Sequence, residues 1–364
     1  MNEGHSALLT IALLEEEIGR HNLTKVSSAD IEKLREKCVF TTHTPVPAAF
    51  DQFPLDLATR ILGADRVRTF LATECCPAGT LNMTYLALRC SRYINGVAMR
   101  HGELSQTMFP NYPIHSITNG VHAATWASAP FRELYDRHIP EWRLDNLYLR
   151  YAVGIGVDEI RQAHLQAKRE LFQVVFGGKA HPRDDSGKAE IRKVFEAAAA
   201  LRDVIPVVYV SDYDLRWAQL FTAGVDLWLN TPHRPFEASG TSGMKAALNG
   251  VPSFSVRDGW WVEGHFEGVT GWSIGYDEDP ERSDLEIASL SEKLEHTILP
   301  LFHSQPSTFA QIMRSTIALN GSFFNTQRML SQYLRDAYFP KSPDTGSETA
   351  AALAKLHDEH AHNG

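Results

Sequence analysis

Residues 230–250, N-T-P-H-R-P-F-E-A-S-G-T-S-G-M-K-A-A-L-N-G, constrain this chain more than any other stretch. They follow an apolar run at 225–229 that reads as a short buried strand, and they end in a brief helical pattern closed by Gly250. Between strand and helix lie Ala238, Ser239, Gly240, Thr241, Ser242 and Gly243. Side chains this small let a neighbouring group approach the backbone, and the free N–H groups of a helix start favour an anion. Lys245 falls one turn beyond Thr241, on the same helix face. A lysine there can hold phosphate as a point charge or carry a carbonyl cofactor as a Schiff base. An ordinary strand, turn and helix with a solvated lysine has the same composition, so spacing alone leaves all three readings open.

The rest of the chain narrows the class. Its 364 residues suffice for two or three domains' worth of core, and 43% hydrophobic with 22% charged residues describe a globular protein. A net charge of -9 provides no basic field for nucleic acid. No apolar run reaches the length of a membrane span, and the first residues lack the basic region of a secretory signal. Cys38, Cys75, Cys76 and Cys90 have neither disulfide-framework nor zinc-site spacing, so no metal is expected and a cytoplasmic setting is.

In chain order, the polar residues Asn2, Glu3 and His5 precede an amphipathic helical pattern with Leu8, Leu9, Ile11 and Leu14. Ser27 and Asp30 form a capping box for a second helix. A strand-like run at 38–42 ends at His43, before Pro45 and Pro47 stop any helix; such a histidine can bind a substrate hydroxyl or serve the fold. Apolar residues at 81–99 recur at helical spacing and read as core. The Asn119-Gly120 turn exposes a side-chain amide. Residues 126–151 read as an ordered connector, and a helix is expected over 157–172. Strand-like runs at 174–176, 207–210, 225–229 and 252–256 then alternate with helical patterns, one opened by Asp212, Tyr213 and Asp214; this is an α/β pattern. Trp260 and Trp261 read as packing residues. Three further helical patterns lead to a Ser-, Thr-, Ala- and His-rich tail at 341–364, expected to be disordered.

Residues 237–245, E-A-S-G-T-S-G-M-K, together with Leu248, Asn249 and Gly250, resemble the cofactor segment of the α-glucan phosphorylases, which comprise the glycogen, starch and maltodextrin enzymes. The strings T-H-T-P-V-P at 42–47 and N-M-T-Y-L-A-L at 82–88, and the segment around Thr118, Asn119 and Gly120, are similar to the same family. The resemblance implies an α/β fold of two Rossmann-like domains of the GT-B glycosyltransferase type, both incomplete. Residues 1–125 would be the remaining part of the N-terminal domain and 126–340 the cofactor-binding domain. It implies phosphorolysis of α-1,4-glucan by inorganic phosphate to glucose 1-phosphate with pyridoxal 5'-phosphate. Lys245 would carry that cofactor, with Thr241, Ser242 and Gly243 around its phosphate and Tyr213 near its ring. Glu237, Ser239 and Gly240 would hold sugar hydroxyls, His43 and Asn119 would position the glucosyl unit, and His5 would lie on the substrate side. A homodimer is compatible with this resemblance.

Two parts of the family pattern have no counterpart: the first half of the N-terminal domain, and a strand with a loop of arginines and lysines expected near residues 172–174. In the family that loop grips the cofactor phosphate and the substrate phosphate. Lys179 does not replace it, because its own segment matches the family elsewhere. Two unit charges 4 Å apart repel by about 4 kcal/mol at an effective dielectric of 20, so its loss weighs on turnover. Two alternatives therefore stand beside the enzyme: a truncated, inactive remnant or glucan-binding module, and a nucleotide-sugar glucan synthase, against which the complete M-K string argues.

Overall fold

The computed structural model describes residues 1–19, 26–46, 50–72, 75–76, 79–169, 171, 174–177, 185–203, 207–275 and 283–339. Lys179 and the tail at 341–364 lie outside them. The chain is a mixed α/β protein whose described strands pair mostly in parallel. It divides into two units: 1–42, 50–95 and 329–364 form one, and 43–49 with 96–328 the other.

In the first unit, β1 (Val39–Thr41) pairs in parallel with β4 (Tyr93–Gly96), and β2 (Gln52–Pro54) pairs antiparallel with β3 (Thr80–Asn82). The entry turn is a 3-10 helix, Gly4–Leu8, ahead of the helix Leu9–Ile18, and Leu8 and Leu9 are exposed. The expected capping box of the second helix, Ser28–Lys37, is present, with Ser27 and Asp30 bonding reciprocally. The apolar residues at 81–99 are core, as expected, with Leu81, Met83, Leu86, Cys90, Ile94 and Val97 buried, but their helical spacing does not mark a single helix. Asn82 bonds the N–H groups of Thr84 and Tyr85 and starts a short helix, Met83–Arg89; the chain then turns, and Arg92 N–H donates to the Cys38 carbonyl as β4 joins β1. Helical spacing arose there because a helix and a strand both bury their apolar residues.

In the second unit, β5 (His115–Ser116) precedes the Asn119 turn. Residues 126–151, expected as a connector, supply much of the core: Phe131, Leu134, Tyr135, Trp142 and Leu149 are fully buried. Tyr135 packs edge-on to Trp142 at 5.4 Å and its hydroxyl donates to the Leu248 carbonyl at 2.7 Å. The expected helix at 157–172 ends at Lys168. The α/β region holds two parallel sheets: β6 (Val174–Gly177) with β7 (Val207–Val210), and the order β10–β9–β8 for Trp228–Asn230 (β8), Ser253–Val256 (β9) and Gly271–Ile274 (β10). β8 starts three residues later than the apolar run suggests. Asp226 is taken up by His164 and Lys168, and Leu229 is 54% exposed, so this strand is not the buried one expected. The helix that follows, Thr241–Ala247, is closed as expected, with Gly250 at φ 67°.

Candidate functional site

Between β8 and the helix Thr241–Ala247 the backbone turns through Gly240, which is left-handed at φ 76°. Glycine reaches that conformation without the Cβ penalty of other residues. No side chain caps the helix start, so the N–H groups of its first turn, at Thr241, Ser242 and Gly243, have no helical acceptor. Lys245 lies one turn further and is half-buried. Its Nζ sits 4.1 Å from the centroid of the Trp126 ring, a cation–π distance, and no acidic partner faces it among the described residues. Burial pulls its ammonium below the ordinary lysine value, which favours the neutral, nucleophilic amine.

Asn249 ties this arrangement together. Its Nδ2 donates to the carbonyls of Trp126 and Lys245 at 2.8 and 3.1 Å, and its Oδ1 accepts the Ser128 N–H at 2.7 Å. A cavity of about 240 Å³ opens beside Trp126, lined also by Ser128, Arg132, Arg216 and Gln219 and by no acidic residue. Neither arginine forms an ion pair among the described residues, although Arg132 acts electrostatically on Asp136.

The second half of the loop is braced by the segment 258–263. The Glu237 N–H donates to Asp258 Oδ2 and the Gly259 N–H to Oδ1, both at 2.9 Å. Burial lifts both carboxyls above their ordinary values; on Glu237 the Asp258 charge adds to it, and on Asp258 the bonds from Glu237 and Gly259 offset part of it. The Ser239 carbonyl accepts the Trp260 N–H at 2.8 Å, while its own Oγ is buried without a partner among the described residues. Trp260 also explains Gly243: a Cβ there would lie 2.6 Å from the indole. The smallness expected to admit a ligand is, at this position, required by packing.

The structure thus gathers Glu237, Ser239, Gly240, Thr241, Ser242, Gly243 and Lys245 on one loop and helix. Asn119 is half-buried in the same unit, with its side-chain amide unbonded among the described residues, and the neighbouring Thr118 hydroxyl bonds Glu263 of the bracing segment. Tyr213 packs on Phe221 at 5.7 Å, and burial raises its hydroxyl. His43 is exposed in this unit; His5 is exposed in the other, in the 3-10 turn. Sequence reasoning missed Trp126, Asp258 and the bracing role of Trp260. Their signal is tertiary, since Trp126 meets Lys245 across more than a hundred residues of chain.

Residues 157–267 match the carbohydrate phosphorylase family. The chain is 32% identical to the maltodextrin phosphorylase of Thermococcus litoralis, over 94% of this chain and 50% of that protein. It is 30% identical to the glycogen phosphorylase of Mycobacterium tuberculosis, over 93% of this chain and 51% of the relative. With the glycogen phosphorylase of Aquifex aeolicus it shares 28% identity, over 85% and 58%. The chain belongs to the carbohydrate phosphorylases. This phosphorylase chain spans about half the length of the curated relatives it matches. The first match runs over 431 aligned positions, more than the 364 residues of the whole chain, so that relative carries internal segments with no counterpart here.

Proposed function

We propose that the chain is an α-1,4-glucan phosphorylase that uses inorganic phosphate to release glucose 1-phosphate, with pyridoxal 5'-phosphate held at Lys245. The observation that carries this reading is the half-buried Lys245 amine, without an acidic partner among the described residues, over Trp126 and one turn from an uncapped helix start. These residues fit the group. An amine whose pKa burial lowers is a readier nucleophile towards an aldehyde than a solvated lysine, and the open N–H groups of Thr241, Ser242 and Gly243 suit its phosphate. Tyr213 is assigned to its ring, and Arg132 and Arg216 in the adjoining cavity supply positive charge. When bound, pyridoxal phosphate supplies a phosphate with a second pKa near 6 that can exchange a proton with inorganic phosphate.

The remaining work falls to the chain's own residues. Glu237, Ser239 and Gly240 bind sugar hydroxyls, with the Ser239 Oγ, unpartnered among the described residues, as a donor and Asp258 fixing the Glu237 backbone. Asn119 and His43 orient the glucosyl unit, and His5 is assigned to the substrate side. Trp126 shields one face of the lysine from water. This reading includes a GT-B arrangement with a domain limit near residue 125, a cytoplasmic setting and a homodimer. The half-length match favours one alternative, a glucan-binding remnant without turnover. Release of glucose 1-phosphate from maltodextrin separates the two. The proposal expects release that rises with phosphate and requires added pyridoxal phosphate; no release from chain carrying the cofactor on Lys245 would leave the remnant.

A further inference from the structure

The turn that carries Asn119 is held from several sides while its side chain is left uncommitted among the described residues. The Asn119 N–H donates to the Val97 carbonyl at 3.0 Å. On the other side Arg328 spans two successive peptides, Nη1 donating to the Thr118 carbonyl at 2.6 Å and Nη2 to the Asn119 carbonyl at 2.9 Å. Arg328 is itself anchored, with Nε donating to the Phe323 carbonyl at 2.9 Å. Glu263 holds the turn by its side chain: the Thr118 hydroxyl reaches both carboxylate oxygens, at 2.9 and 2.7 Å, and the Met99 N–H completes the carboxylate at 2.9 Å. The next residue leaves no slack, since a Cβ on Gly120 would lie 2.2 Å from the Asn325 carbonyl oxygen. Val121 N–H then donates to the Phe324 carbonyl at 3.0 Å.

Arg328 is a costly way to fix a turn. It is 8% exposed, and burial lowers its guanidinium to about 10, with Glu263 the opposing charge. A buried cation is retained only where its donors are well used, and here the planar fork matches two adjacent carbonyls. A rigid backbone under an unbonded carboxamide is what a group pre-organised for a ligand requires, because ordering has been completed before binding. We propose that Arg328 is a positioning residue that sets the Asn119 carboxamide for the glucan. This rests on the reading that Asn119 binds sugar; the role of Arg328 is additional to it.

Affinity for maltoheptaose, measured by calorimetry below the unfolding transition of every variant, tests this through wild type, Arg328→Lys, Asn119→Ala and the double variant. Lysine keeps the charge but loses the fork. Arg328→Lys is expected to weaken binding about tenfold in the wild-type background and by less than about twofold once Asn119 is alanine. A purely structural role would give the same factor in both backgrounds and would overturn the proposal. If Asn119→Ala alone leaves affinity unchanged, the sugar reading of Asn119 falls and the proposal with it. Should Arg328→Lys not fold, Glu263→Gln, which weakens the opposite grip, is read through the same cycle with the same expected non-additivity.

Discussion

Lys245 is one residue on which two opposing terms can be weighed. The Trp126 face stabilises its ammonium by about 0.5–2 kcal/mol, while burial disfavours the charge and lowers its pKa. For a base whose folded pKa lies below its unfolded value, the cost of charging is present in full below the folded pKa and disappears as pH rises towards the unfolded one. The neutral amine is therefore available at lower pH than on solvated lysines. Pyridoxal phosphate trapped by borohydride should reach half-maximal incorporation at Lys245 at lower pH than at exposed lysines, as read by peptide mapping across a pH series. Incorporation in step with exposed lysines would show the amine to be solvated. Gly243 carries a second prediction at this scale. Gly243→Ala drives a methyl into Trp260, and overpacking of this kind costs about 1–3 kcal/mol, measurable as a lower midpoint in denaturant. An unchanged midpoint would mean that the indole can retreat.

At the scale of elements, the site depends on how the end of the helix Thr241–Ala247 is joined to the segment 126–128. Asn249 makes that join, and it is fully buried. Asn249→Ala removes an acceptor from the half-buried Ser128 N–H and a donor from two carbonyls, so a loss of about 2–4 kcal/mol is expected. The same variant should also bring the pH of Lys245 labelling back towards that of other lysines, because Trp126 loses its tether; a stability loss without that shift would separate the join from the site. The loop and helix at 237–250 were legible in the sequence because their signals are local: small residues, a helical turn and a closing glycine. Strands 174–177, 207–210 and 253–256 were legible for the same reason, as short apolar runs between turn residues. What decided β8 was the capture of Asp226 by His164 and Lys168, and what decided 81–99 was the pairing of β4 with β1. Neither partner adjoins its target in the chain. Trp260 and Trp261 were correctly read as packing residues, yet packing is how the first of them shapes the site.

At the scale of the whole molecule, the family is secure while the chain matches only half of its relatives' length. The two parallel sheets of the second unit share no strand: β6 pairs with β7, and β8 with β9, among the described residues. The gathered loop, the bracing segment 258–263 and the Asn119 turn nevertheless all belong to that unit, so the chemistry assigned to Lys245 is carried within it. The question for the molecule is whether, among all its lysines, this amine is singled out. Intact chain incubated with substoichiometric pyridoxal phosphate, reduced with borohydride and mapped by mass spectrometry tests that directly. The account predicts one predominant reduced adduct, on Lys245; adducts spread over other lysines with Lys245 unmodified would contradict it.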